Sequence, residues 1–364
     1  MMCLKNSNVV KLLRLAIGTS QEKPASMTDS EWQDVSTLAK RMHLTGLVYK
    51  ALNTLPKELL PPKKMLMEWY LKSLYISERN QLINDESARL TQMFGKDGLR
   101  TAILKGPANA RRYPDPMCRN TGDIDIWVEG GKNAVLSYLR ENGMETWSHI
   151  DYHHVQLQKN KKGVSVEVHF RPSSGNYNPI TNHRIQSYLE EELKTTYFCP
   201  EGFYVPSAKF DLVMQLAHIQ RHFLGGNVSM RQLVDYFFLL SHSTEEERRE
   251  VSSQLHRLGL YKVGGAVMWV LVHVLLMDEK LVLTAMDENR GQWMLNEALS
   301  EKHVTDKEAS VLKQIWKEEG RRLKMIRFAL NETLVMDMKW WQYIVKTLPF
   351  RIGHHSARIK NRVK

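Results

Sequence analysis

The chain has 364 residues, with 51 lysines and arginines against 40 aspartates and glutamates, giving a formal charge of +11 at pH 7. Its 43% hydrophobic and 25% charged content excludes a disordered or low-complexity chain, and the length suits one large domain or a few smaller ones. The basic surplus points to polyanionic partners: nucleotides, nucleic acid or an acidic membrane surface. Cys3, Cys118 and Cys199 lie far apart without Cys-x-x-Cys spacing. That excludes a disulfide framework and a cysteine-rich zinc site, and fits a reducing, cytoplasmic setting.

Residues 1–18 are interrupted by Lys5, Lys11 and Arg14, so they lack the apolar core of a signal peptide. Helical signals then run to about Gly98. Ser30 is a candidate N-cap ahead of Glu31 and Trp32, and Pro61-Pro62 precedes a stretch, 63–94, free of Gly and Pro. In it Met65, Trp69, Leu71, Leu74, Tyr75, Leu82, Ile83 and Leu90 recur near helical spacing, and Gly95 or Gly98 supplies the stop.

The pattern next becomes mixed. Residues 101–104 form a short apolar run, 123–128 alternate, and 135–142 read as a helix closed by Gly143. Two alternating runs, 153–158 and 164–170, flank a turn at 160–163 and predict a hairpin ending a small α/β unit. After Pro206 helices return at 208–223, 231–241, 245–258 and 263–277, the third opened by Thr244 and its glutamates. The last run is the most apolar, but at about fifteen residues it falls short of the roughly twenty that span a bilayer. It reads as a buried helix, and no transmembrane segment is expected. More helix is expected beyond Asp278, including Trp340 and Trp341. The tail at 351–364, with Arg351, Arg358, Lys360, Arg362 and Lys364, is either a phosphate- or membrane-contacting cluster or a solvated terminus.

Three segments in the middle carry chemistry. In the strand at 123–128, side chains alternate, so Asp123 and Asp125 project to one face while Ile124 and Ile126 enter the core. Paired carboxylates repel unless a cation lies between them, and a hard divalent ion such as Mg²⁺ suits carboxylates plus substrate phosphates. The competing reading is a pair of solvated strand-edge aspartates. In the strand at 164–170, Ser165, Glu167 and His169 share the face opposite the valines and Phe170. Glu167 completes a three-carboxylate cage if that strand lies beside the first; otherwise Glu167 and His169 are the wet side of a hairpin.

The third segment is Lys105 and Gly106 between a short strand and a helix start. Glycine lets backbone approach phosphate closely, and Lys105 adds a point charge. It is not a P-loop, because the flanking glycine and the Ser/Thr after the lysine are missing. Arg111, Arg112 and Arg119 form a local basic patch before the aspartates. Arg119 has two readings: a triphosphate contact or an ion pair with a carboxylate. Further on, His218 and His222 share a helical face and read as packing or cleft lining rather than metal ligands. Arg231 and Asp235, also four apart, read as an intrahelical ion pair.

Taken together, Leu104-Lys105-Gly106, Tyr113-Pro114-Asp115-Pro116, Arg119, Gly122 with the strand to Val128, and Val166 to Arg171 resemble a bacterial family of uncharacterised nucleotidyltransferases. That family is a divergent branch of the polymerase-beta-type superfamily. The similarity covers roughly residues 65–240, including His218, His222, Arg231 and Asp235. The resemblance implies an α+β fold: a small mixed-sheet nucleotidyltransferase core at 99–205, an N-terminal helical region at 1–98 and a large C-terminal helical region with the basic tail at 206–364.

By resemblance Gly106 stands for the phosphate-contacting glycine, Asp123 and Asp125 for the metal pair and Glu167 for the third catalytic carboxylate, with Mg²⁺ or Mn²⁺ as the ion. The candidate contacts to the nucleoside triphosphate are Lys105, Gly106, Arg119 and His169. A nucleoside monophosphate would pass to the hydroxyl of an unknown small-molecule or protein acceptor, releasing pyrophosphate. The departure is Pro107, where the superfamily pattern places a serine after the glycine. It keeps alive the alternative of a catalytically inactive nucleotide-binding or scaffold protein. A metal-dependent glycosyltransferase fits poorly, because no α/β nucleotide-binding half precedes the aspartates. Nucleic-acid binding rests on charge alone, with no recognised motif.

Overall fold

The computed structural model describes residues 7–144, 147–160, 162–175, 179–225 and 228–299. Cys3, Trp340, Trp341 and the basic tail lie outside the described residues. The chain opens with helices α1 (Asn8–Ile17), α2 (Asp29–Arg41), α3 (Thr45–Leu52) and the long α4 (Lys63–Lys96). The N-cap of α2 is Thr28, not Ser30. Its hydroxyl accepts from the Glu31 amide while the Glu31 side chain accepts from the Thr28 amide, a reciprocal capping box. Trp69, Ile83 and Leu90 bury the apolar stripe of α4, but Leu71, Leu74 and Tyr75 remain exposed, so only part of the sequence periodicity in that helix marks core.

The sheet is built from β1 (Thr101–Ile103), β2 (Asp123–Val128), β3 (Trp147–Ile150), β4 (His154–Leu157) and β5 (Ser165–His169), in the order β1-β2-β5-β4-β3. Strand β2 runs parallel to β5, and the other pairings are antiparallel. Short α5 (Pro107–Ala110) follows β1, and α6 (Gly131–Glu141) follows β2. The predicted hairpin is present as β4–β5, but β3 extends it. A second, two-stranded sheet of β6 (Thr196–Phe198) and β7 (Tyr204–Pro206) comes after α7 (Pro179–Glu192). These last strands have only three residues each, and their alternation was too brief to register in the sequence.

Alternation sets the two faces of the main sheet. Ile124, Ile126, Val155, Val166 and Val168 turn to one side, where Ile83, Leu90 and Phe94 of α4 and Val135 and Leu139 of α6 complete an apolar core. At about 25 cal/mol per Å² of apolar surface, each such fully buried side chain stabilises the fold by about 1.5–3 kcal/mol. The opposite face of β2, β5 and β4 carries Asp123, Asp125, Glu167, His169 and His154.

Helices α8 (Ala208–Gly225), α9 (Met230–His242), α10 (Glu245–Leu258), α11 (Tyr261–His273) and α12 (Glu288–Leu299) complete the described chain. Helix α10 carries the expected Thr244 cap. The apolar run at 263–277 leaves the helix at His273; Leu276 beyond it has φ +58 and is exposed. Helices α1–α3 share one apolar core with α8–α12, and the buried Arg14 side chain ties them by donating to the Val274 carbonyl at 2.7 Å. The architecture is α+β: a small mixed sheet flanked by N-terminal helices and a larger C-terminal helical region. Among the described residues no helix is long and apolar enough to cross a membrane.

Candidate functional site

Parallel pairing of β2 with β5 puts Asp125 opposite Glu167, Asp123 opposite Ser165 and Trp127 opposite His169. Strand β4 then brings His154 opposite His169 and Gln156 opposite Glu167. Residues distant in sequence thus form one polar patch. It floors a cavity of about 500 Å³ lined by Lys105, Gly106, Asp123, Asp125, Glu167 and His169, with Gln215, His218, His222 and Arg231 on the wall made by α8 and α9.

Asp125 is 2% exposed and carries a dense set of contacts. Lys105 Nζ lies 2.8 Å from its Oδ1, and His169 Nε2–H donates to the same oxygen at 3.0 Å. Glu167 Oε2 is 3.5 Å from His169 Nε2 and 3.8 Å from His154 Nδ1. Burial alone would raise the Asp125 carboxyl, but the Lys105 ammonium and His169 hold it well below the usual carboxylate range. Burial likewise opposes the charged form of Lys105, yet Asp125 and Asp123 keep its pKa raised.

Asp123 shows the opposite strain. The charge of Asp125, then burial, pushes it up to about 6. A carboxyl whose folded pKa exceeds its unfolded value of 3.8 binds its proton more tightly in the folded state. Its contribution to stability is therefore full below about pH 4 and is lost as pH rises through about 6. Asp211, pushed up to about 6 mainly by burial, adds to the same window. Asp123→Asn is expected to stabilise the metal-free protein at pH 7 by about 1–2 kcal/mol and to flatten the fall in melting temperature over that range. A variant no more stable than wild type at pH 7 would remove the case for carboxylate repulsion here.

The donor set suits a divalent cation. Asp123, Asp125 and Glu167 offer hard oxygens, and repulsion between the two aspartates is the strain that a cation between them relieves. Asp125, Glu167 and His169 present ligand atoms all within 4.8 Å of one another.

Gly106 is required by its geometry. It has φ +62, and a Cβ there would lie 3.0 Å from the Asp123 carbonyl oxygen and 3.3 Å from Thr121 Cγ2. The close approach holds the Lys105–Gly106 turn against the start of β2, and the Leu104 amide extends the ladder by donating to the Asp125 carbonyl at 2.9 Å. The helix after Gly106 has only four residues and begins with Pro107.

The basic patch read from the sequence is dispersed by pairing. Arg111 meets Glu201 at 3.0 Å, and Arg112 meets Asp211 at 2.5 Å. Arg119 lines the cavity but commits its guanidinium to Asp235, through Nε and Nη2 at 2.7 Å each. Of its two sequence readings, the ion pair is present. The expected Arg231–Asp235 pair is corrected accordingly: Asp235 accepts from Arg119 and from the Tyr113 hydroxyl at 2.7 Å, while Arg231 donates to the Asn120 carbonyl at 2.7 Å. His218 and His222 line the cavity with ring centroids 4.3 Å apart, and burial, then the nearby Lys105, holds His218 neutral.

Sequence reasoning passed over His153, His154, Asn109 and Gln215. His154 was recoverable, since it shares the alternating face of Gln156. Gln215 donates to Asn109 Oδ1 at 2.8 Å, and Asn109 reaches Asp235 at 3.4 Å. That link between α5, α8 and α9 had no local sequence signal.

No curated protein matches the chain. Among solved structures it is similar to the crystal structure of an antigenic nucleotidyltransferase-like protein from Paracoccidioides brasiliensis, with 13% identity, a TM-score of 0.34, and coverage of 58% of this chain and 96% of that one. A family profile described as uncharacterised nucleotidyltransferase matches residues 28–275, a span that takes in Lys105, Gly106, Arg119, both aspartates, Glu167, His169 and the α8–α9 wall. With most of its length and every residue of the cavity floor inside that match, the chain belongs to the family of uncharacterised nucleotidyltransferases.

Proposed function

We propose that the protein is a metal-dependent nucleotidyltransferase that moves a nucleoside monophosphate from a nucleoside triphosphate to an acceptor hydroxyl, releasing pyrophosphate. The observation that carries this reading is the register that sets Asp125 beside Glu167, with Asp123 two residues away on the same strand face, at the floor of an open cavity. Asp123, Asp125 and Glu167 would hold Mg²⁺, or Mn²⁺. When bound, the metal would lower the pKa of the acceptor hydroxyl and neutralise charge on the leaving pyrophosphate.

The remaining work falls to the chain. Lys105 binds triphosphate oxygens as a point charge, close to backbone that Gly106 keeps free of a side chain. His169 orients Asp125 through its 3.0 Å bond and adds a second donor near the phosphates. Glu167, half a step out from the buried core, takes the acceptor proton as the acceptor oxygen attacks the α-phosphorus. The bond from that phosphorus to the β-phosphate oxygen then breaks in line, and pyrophosphate leaves. Arg119 acts at one remove, fixing the segment that leads into β2. Cys118 and Cys199 are free, buried thiols, which supports placing this chemistry in a reducing compartment such as the cytoplasm.

One observation favours a second reading. Lys105 lies 2.8 Å from Asp125, where a metal would otherwise compensate that carboxylate, and Pro107 replaces the expected serine. A scaffold or nucleotide-binding protein without turnover would tolerate both. The two readings separate when the protein is incubated with α-labelled nucleoside triphosphates, Mg²⁺ or Mn²⁺, and pools of small-molecule and protein acceptors. Label transferred with matching pyrophosphate release, and abolished by EDTA, is the expected result. Triphosphate binding without transfer to any pool would favour the scaffold.

A further inference from the structure

Beyond the carboxylates, the same sheet face carries a set of nitrogen donors, of which the proposed transfer reaction uses only His169. His153, His154 and His169 are 8%, 9% and 2% exposed, and each offers a ring nitrogen within 4.8 Å of the other two. His154 Nδ1 and His153 Nε2 are 3.0 Å apart. Ligand atoms held about 2.0–2.1 Å from one tetrahedral zinc ion lie about 3.3–3.4 Å from each other, so this contact, a ring-to-ring hydrogen bond here, is close to the spacing of neighbouring ligands on a shared metal.

Two further features point to a ligand. His169 gives its Nε2 hydrogen to Asp125, and its other ring nitrogen, Nδ1, is buried with no hydrogen-bond partner among the described residues. Buried polar groups in folded proteins are rarely left unpaired. An ion has a way in, because His153 and His169 both line the cavity.

We infer that His153, His154 and His169, with Glu167 beside them, form a second metal site, for a borderline transition-metal ion such as Zn²⁺ or Co²⁺. Imidazole nitrogens select such ions, whereas Mg²⁺ prefers oxygen ligands and retained water. The site lies one strand further along the sheet than the aspartates: β2 supplies Asp123 and Asp125, β5 supplies Glu167 and His169, and β4 brings His154 alongside His169. It shares Glu167 and His169 with the nucleotide site but does not depend on nucleotide binding.

The test uses the full chain, stripped of metal and titrated with Co²⁺ alone while visible absorption is followed. Nitrogen-rich, low-coordinate Co²⁺ gives an intense d–d band, and Co²⁺ on carboxylates and water gives a pale one. The expected result is an intense band that Zn²⁺ displaces, Mg²⁺ does not, and Asp123→Asn leaves in place. His153→Ala/His154→Gln should weaken Co²⁺ binding by about tenfold to a hundredfold. The single variant His154→Gln, compared with wild type by circular dichroism and melting temperature, gives the same reading if the double variant folds poorly. A pale spectrum, or equal Co²⁺ affinity in wild type and His154→Gln, would overturn the site and leave the histidines as a hydrogen-bonded cluster. Loss of triphosphate binding in Asp123→Asn with the cobalt band intact would bear on the nucleotide site alone.

Discussion

Asp235→Ala is expected to destabilise the protein by about 3–5 kcal/mol, the cost of removing one partner of a buried ion pair and leaving the other charge uncompensated. Arg119 and Asp235 are 4% and 5% exposed and joined by two bonds of 2.7 Å, and the Tyr113 hydroxyl would lose its acceptor as well. The damage should reach the site. The Arg119 carbonyl accepts from Asn80 of α4 at 2.8 Å, and Thr121, which Arg119 also contacts, packs where Gly106 turns. Freeing Arg119 therefore loosens the segment that delivers Asp123.

Replacing both partners together, as Arg119→Met with Asp235→Leu, should cost far less than Asp235→Ala, because no charge is then stranded. Denaturant melts of the three proteins check this. A loss under about 1 kcal/mol in Asp235→Ala would mean that water or another group already compensates Arg119.

For the transfer reaction proposed above, Asp125→Ala is expected to lower the rate by about a thousandfold or more, the scale on which preorganised electrostatic stabilisation at a reacting phosphate acts. Asp125 is the junction of the site, bonded to Lys105 and His169 and paired in register with Glu167. Its removal also ends the repulsion that holds Asp123 up at about 6, so the Asp123 carboxyl should fall toward its ordinary range. Transfer assays and carboxyl titration by NMR report the two effects separately. A variant keeping a tenth of wild-type transfer would show that Asp125 only supports the fold.

Much of this site was legible because strand alternation is a strict rule. Two aspartates flanking Ile124, and Glu167 with His169 between valines, could only face one way if those segments were strands, and they are. What the sequence did not contain was the pairing. Asp125 meets Glu167 because β2 and β5 are parallel neighbours although β3 and β4 lie between them in the chain.

The arginines illustrate the same limit. Arg111, Arg112 and Arg119 look like a basic patch locally, but Glu201, Asp211 and Asp235, which pair with them, arrive from β6–β7 and from α8 and α9. Arg231 and Asp235 do have helical spacing, yet Asp235 is claimed by the more deeply buried Arg119. The Thr28 cap was a different kind of miss: the Thr-x-x-Glu signature was present and Ser30 was preferred to it.

The proposed contact of Asp123 and Asp125 with a metal-bound nucleoside triphosphate can be read without any acceptor, by calorimetry with a non-hydrolysable triphosphate analogue. The titration is run with and without Mg²⁺, on wild type and on Asp123→Ala/Asp125→Ala. Binding to wild type that requires Mg²⁺ and disappears in the double variant is the predicted result. Absence of binding to wild type at millimolar analogue and Mg²⁺, or equal binding by the double variant, would contradict it.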